Sequence, residues 1–130
     1  MIVDASAVLA ILLEEPEGKL FSETLFASDD RHVMSPINYL EAAIKVDSPE
    51  HRAKSEQLDP VLKLHDVTMA FITPEQAEIA RKAYRTYGKG NHKARLNLGD
   101  CFAYALSKAR GEPLLFKGDD FRQTDIEAVI

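Results

Sequence analysis

Cysteine is nearly absent from this chain of 130 residues: Cys101 stands alone, so no internal disulfide can form. That scarcity fits a reducing compartment, and the expected location is cytoplasmic. Cys101 falls on an apolar helical stretch and is expected as a packed thiol, not a nucleophile. Zinc-type ligand spacing is also missing, because His51 and His65 bear no such relation and no second cysteine exists. Long apolar runs are lacking. Residues 2–13 are apolar but interrupted by Asp4, too short to span a bilayer and without a basic leader. Neither a membrane segment nor a signal peptide is therefore expected. There are no internal repeats and no low-complexity tracts.

What is present suits one domain spanning residues 1–130, with 45% hydrophobic residues, enough for a real core. The net charge of −5 is unevenly spread. Residues 81–95 carry Arg81, Lys82, Arg85, Lys89, Lys93 and Arg95 and no acid, whereas acids dominate before Arg31. This asymmetry permits a polyanion to approach one face of an acidic protein; a solvated helix face gives the same pattern.

The chain alternates short strands and helices. Met1-Ile2-Val3 reads as a strand buried on both faces and ends in Asp4. A helix over 5–13 follows, with Asp4 either its cap or a site residue, and Ser6 placed to orient that carboxylate. Pro16 suits the first turn of a second helix running to about residue 27, with Leu20, Phe21 and Leu25 facing in. Residues 32–35 form a second strand, with His32 expected at the surface. Ser35 caps the next helix and Pro36 starts it; Ile37, Leu40 and Ile44 form its apolar stripe. Glu41 lies about 40° from Ile37 on the wheel, so it flanks the buried face and must reach solvent, a partner or a cation. Pro60 predicts a kink or two short helices over 50–64. A third strand spans 67–72. Thr73 and Gln76 predict a capping box for a helix whose inward face includes Ala77, Ala80, Ala83, Tyr84 and Tyr87. Residues 88–95 read as a flexible basic loop leading into a last helix, whose apolar face includes Leu98, Phe102, Ala105 and Leu106 and which Gly111 stops. A strand over 113–116 precedes Lys117-Gly118-Asp119-Asp120-Phe121, with Phe121 plugging the core. A short edge strand is expected over 126–130.

Strand–helix alternation of this kind predicts an α/β fold with a mainly parallel sheet. In such sheets sites form at the carboxyl ends of strands. Asp4 and Asp119/Asp120 follow strands, Asp100 opens a helix, and Glu41 flanks one. Asp100 alone reads first as a helix cap; a site reading needs the other acids to meet it. Four clustered carboxylates cannot all ionise unpaired. A hard divalent cation, Mg²⁺ or Mn²⁺, resolves the conflict and serves phosphoryl chemistry.

The motifs also match a family. The opening Ile2-Val3-Asp4-Ala5-Ser6, the helix start Ser35-Pro36-Ile37-Asn38-Tyr39-Leu40-Glu41, and above all Leu96-Asn97-Leu98-Gly99-Asp100-Cys101 with Tyr104-Ala105-Leu106 resemble the PIN-domain ribonucleases. Among these the chain is similar to the VapC-type toxins of bacterial toxin–antitoxin pairs, one subgroup of which shares the Leu114-Leu115-Phe116-x-Gly-Asp-Asp-Phe stretch. The resemblance covers nearly the whole chain. It implies a three-layer α/β/α sandwich and Mg²⁺- or Mn²⁺-dependent endonucleolytic cleavage of RNA. It implies that Asp4, Glu41 and Asp100 are metal-centred acids. Asp119 and Asp120 both fit the fourth position, and Asp119 is ranked first. Ser6 and Asn38 are implied as supports behind the acids, and His92, Lys93 and Arg95 as contacts to RNA phosphates. A small antitoxin protein is the implied partner and a homodimer the implied assembly. The sequence departs from the family at Lys93, where proline is expected after His92, and in residues 47–58.

Two readings compete. One is a catalytically silent PIN-fold module that binds RNA or protein. The other is a receiver- or phosphatase-like domain, but Asp4 comes too early for a phospho-acceptor and the Asp-x-Asp signature is missing.

Overall fold

The computed structural model describes residues 1–130. Its elements are β1 (Ile2–Val3), α1 (Ala5–Leu12), α2 (Gly18–Ala27), β2 (His32–Met34), α3 (Pro36–Asp47), α4 (Leu58–Leu64), β3 (Val67–Met69), α5 (Pro74–Tyr87), α6 (Leu98–Arg110) and β4 (Leu114–Leu115). Short 3₁₀ turns cover Arg52–Gln57 and Phe121–Gln123. The 3₁₀ turn followed by α4 is the pair of short helices that Pro60 predicted.

The four strands pair in parallel in the order β3-β2-β1-β4. Ile2 faces Val33 on one side and Leu114 on the other. Alternate residues of these short strands feed two separate cores. Val3, Met34, Val67 and Leu115 pack with α1–α4, whereas Ile2, Val33 and Leu114 pack with α5 and α6. The result is the expected three layers. The chain steps from β1 to β2 to β3, then returns across the sheet to β4, so strand order reverses at β1. Right-handed crossovers place helices on opposite faces for opposite directions of travel. The reversal leaves a crevice between β1 and β4 at the strands' carboxyl ends.

Side-chain size decided several faces against simple periodicity. On α3 the buried residues are Asn38, Ala42 and Val46, spaced by four, and the larger Leu40 and Ile44 point to solvent. Small residues let this helix lie close to its neighbours. α2 begins at Gly18, later than Pro16 suggests, and Leu20 is exposed while Phe21 and Leu25 are buried. A Cβ at Gly18 would overlap the Ala10 carbonyl, so glycine allows α2 to pack on α1. His32 is buried, not superficial, because its Nε2 donates to the Leu25 carbonyl at 3.0 Å. β3 ends at Met69 and Phe71 is left exposed. Thr73 accepts the Gln76 N–H at 3.1 Å, but the Gln76 amide donates to the Phe71 carbonyl, so only half of the predicted box forms. Ala77 and Tyr84, expected inward on α5, are exposed. The basic loop is tied down: Lys89 N–H donates to the Leu96 carbonyl at 2.9 Å and Leu96 N–H to that of Tyr87 at 3.0 Å. The expected edge strand reduces to a single bridge between Leu114 and Ala128. Gly111 ends α6 at φ 63°, and Phe121 is buried against Phe116.

Leu106 sits almost fully buried in the α5/α6 core. Leu106→Ala should lower stability by about 2–5 kcal/mol through lost burial and a residual cavity. A fall in the urea midpoint with unchanged slope is the expected result of equilibrium denaturation.

Candidate active site

The crevice at the β1/β4 reversal gathers acids from three separate elements. Asp4 leaves β1 and caps α1. Its Oδ2 accepts the Ser6 N–H at 3.1 Å and the Ser6 hydroxyl at 2.5 Å, while its buried Oδ1 has no hydrogen-bond partner. The Ser6 oxygen in turn accepts the Lys117 N–H at 3.0 Å, tying the segment after β4 to the acid after β1. Lys117 also pairs with Glu15 and Glu17 beyond the end of α1.

Glu41 projects from α3. Its Oε1 accepts from Asn38 Nδ2 at 2.9 Å, and the same amide donates at 2.9 Å to the Gly99 carbonyl of α6. Glu41 lies so close to α6 that a Cβ at position 99 would overlap its carboxylate. Asp100 occupies the third position of α6. Its Oδ2 accepts the Asn97 N–H at 3.0 Å, and its own N–H donates to Asn97 Oδ1 at 2.9 Å. Asp100 is thus the helix cap of the simpler reading and, at the same time, near enough to Asp4 and Glu41 to feel their charge. The Asn97-x-x-Asp100 spacing announces this reciprocal cap in the sequence, and Gly99 is the residue that periodicity alone overlooks.

Asp4, Glu41 and Asp100 therefore share one design. In each, one oxygen is held by a donor and the other is left without one. None of them forms an ion pair. Burial raises the Asp4 carboxyl above its usual range against the opposing Ser6 hydrogen bonds. Burial, aided by the Asp4 charge, raises Glu41 although Asn38 opposes it. Asp100 is pushed up to about 7, by burial first and then by Asp4, Glu41 and Asp120. The helix N-terminus favours its anion, but burial among like charges wins.

In the loop after β4, the charge of Asp120 adds to those that raise Asp100. Asp119 and Asp120 are both exposed, and the Asp119 carbonyl accepts the Arg122 N–H at 3.0 Å in the turn that buries Phe121. His92, Lys93 and Arg95 lie on the loop before Asn97, where His92 Nδ1 accepts the Ala94 N–H and the two basic side chains are exposed. Cys101 is a packed thiol, pushed up to about 11 by burial.

The acids do not converge into a finished metal cage. Their chemistry nevertheless fits a hard divalent cation: the donors are all oxygen, Asp4 Oδ1 is buried and orphaned, and no lysine or arginine neutralises the cluster.

The model of the PIN domain family matches residues 1–127. A Ribonuclease VapC of Mycolicibacterium smegmatis is 47% identical over 129 residues, covering 99% of both chains. Ribonuclease VapC30 of Mycobacterium tuberculosis is 44% identical, over 99% of this chain and 98% of its own. The chain belongs to the PIN-domain family, in its VapC branch. A crystal structure of Mycobacterium tuberculosis VapC20, described as a sarcin–ricin-loop cleaving toxin, shares the fold at a TM-score of 0.78 with 13% identity, covering 98% of this chain and 97% of that one. In this PIN domain the family resemblance read from the motifs is thus upheld, and with it the α/β/α architecture.

Two measurements probe the site. Gly99→Ala would ordinarily favour a helix by up to about 1 kcal/mol; here it should displace Glu41, so nuclease activity should collapse while helical content by circular dichroism is retained. The raised Asp100 carboxyl has a pH signature. Its stability contribution is fully present below about pH 4 and is lost as pH rises through about 7. In chelator, Asp100→Asn should gain in melting temperature relative to wild type as pH rises from 4 to 8. A difference that stays flat with pH would contradict this.

Proposed function

We propose that this PIN domain, acting as one unit over residues 1–130, is the toxin of a toxin–antitoxin pair, a divalent-metal-dependent endoribonuclease that hydrolyses RNA phosphodiester bonds. The observation carrying this reading is the set of half-tethered carboxylates with no counter-cation. Asp4 and Asp100 would hold the principal Mg²⁺ or Mn²⁺, with Glu41 and Asp120 completing the pocket. Bound there, the ion supplies charge neutralisation and a water acidified for attack on phosphorus.

The chain's own residues do the rest. Ser6 and the Asn97 N–H fix one oxygen of Asp4 and of Asp100, so the other oxygen of each is presented in a set direction. Asn38 does the same for Glu41 and locks α3 to α6 through the Gly99 carbonyl. Asp120 is taken as the fourth acid, because its charge is among those that raise the Asp100 carboxyl. The exposed Lys93 and Arg95, with His92 beside them, offer positions for RNA phosphates.

A small antitoxin is the expected regulator, placing a basic side chain against these acids. Exposed Leu40, Ile44, Met69 and Phe71 support a homodimer. The setting is cytoplasmic.

The test is cleavage of total cellular RNA by the purified, antitoxin-free chain in Mg²⁺, in Mn²⁺ and in chelator. Discrete fragments should need the metal and vanish in Asp100→Asn. Asn38→Ala should lower activity about 10–100-fold. Asp120→Asn should cost far more than Asp119→Asn. A folded wild type that binds Mn²⁺ but cuts nothing would favour the silent binding module. A larger loss at Asp119 would restore that residue as the fourth acid.

A further inference from the structure

Leu98 is an apolar residue at the first position of α6, two residues from Asp100, and it is 71% exposed. It joins neither core. It forms one wall of a groove of about 510 Å³ between α5 and α6, a volume typical of small-molecule sites. From α6 the groove receives Leu98, Cys101 and Phe102, spaced i, i+3 and i+4. From α5 it receives Ala77 and Ala80 as floor, Tyr84 as a second aromatic wall, and Arg81 and Arg85. Tyr84 is 45% exposed, and its hydroxyl donates to the Lys89 carbonyl at 3.1 Å, which fixes the ring. Neither Arg81 nor Arg85 is ion-paired within the chain.

The lining is apolar and aromatic, whereas its cations are free guanidinium groups within the stretch 81–95, which holds six basic residues and no acid in a chain of net charge −5. A flat, uncharged ring carried on a polyanionic backbone complements both features at once. An apolar peptide side chain would use the floor and leave two arginines unanswered. Leu98 and Asp100 share the first turn of α6 and point to different sides of it, so the groove and the acids flank one helix terminus that a single strand can cross.

We propose that this groove is a base-binding subsite, taking one unpaired nucleobase of the RNA substrate against Tyr84 and Phe102, with flanking phosphates on Arg81 and Arg85. The subsite rests on the ribonuclease reading and deepens it: it selects where along a single-stranded segment the bond beside Asp100 is cut. A base stacked and paired inside a duplex cannot enter, so the nucleotide that occupies the groove is an unpaired one.

Ala77→Leu fills the groove from an exposed helical position without touching an acid. It should leave the melting temperature and Mn²⁺ binding by calorimetry unchanged, while cleavage at the wild type's mapped sites falls about tenfold or more. The second arm uses Asp100→Asn to measure binding without cutting. A fluorescein-labelled oligoribonucleotide spanning a mapped site is compared with versions carrying one abasic position at a time. Removing one particular base should weaken binding about tenfold, and adding Ala77→Leu should erase that difference. Arg85→Ala should weaken all these ligands alike and reduce the salt slope by about 0.7.

Unchanged sites and rates in Ala77→Leu, or indifference to every abasic position, would overturn the subsite while the ribonuclease stands. Retained cleavage with lost antitoxin inhibition would make the groove a protein-docking face and overturn it equally. A wild type that cuts no RNA with any metal would remove the ribonuclease reading and the subsite with it.

Discussion

Like charges held together away from water repel, and this fold is arranged to hold them anyway. Asp4, Glu41 and Asp100 come from β1, α3 and α6, and each is gripped at one oxygen by a serine, an amide or a backbone N–H. Those grips offset part of the cost of burial but supply no positive charge. The unmet remainder is visible in the raised Asp100 carboxyl, which sits near 7. Without a cation the cluster is a local instability, tolerated because two apolar cores on either side of the sheet hold the surrounding elements in place.

The topology explains why three elements can meet at one point. Strands of two or three residues make a sheet with little to offer beyond its order. That order reverses at β1, and the reversal opens space between the segment that follows β1 and the segment that follows β4. α3 and α6 belong to opposite layers, yet Asn38 bonds across to the Gly99 carbonyl. Close approach there depends on glycine, because any side chain at 99 would take the volume that Glu41 fills.

Much of this was legible in the sequence. A buried strand ending in Asp4, a Ser35-Pro36 helix start, a left-handed Gly111 stop and an acid-bearing loop pinned by Phe121 each follow from local chemistry, and the structure bears them out. The family motif carried Glu41 and Asp100. Helix faces were legible only in part. Periodicity assigns large apolar residues inward, but α3 buries Asn38 and Ala42 and turns Leu40 and Ile44 out, because contact with another helix rewards small volume. Leu98 was misplaced by the same rule. His32 reads as a surface residue from sequence because its partner, the Leu25 carbonyl, is a backbone atom that no sequence pattern displays. Asp119 and Asp120 are adjacent, identical in type and both exposed, so residue chemistry alone does not rank them.

The hydroxyl of Ser6 has a single hydrogen, and it is directed at Asp4. The same oxygen receives the N–H of Lys117, whose ammonium is clasped by Glu15 and Glu17. One atom is therefore shared between the first acid of the chain and the segment leading to the last. The Ser6 N–H holds the same Asp4 oxygen, so the carboxylate is fixed twice while the hydroxyl oxygen also anchors the backbone after β4. The loop that carries Asp119 and Asp120 is thereby set in register with Asp4 through one side-chain oxygen, so a single serine fixes the spacing between the early and the late acids.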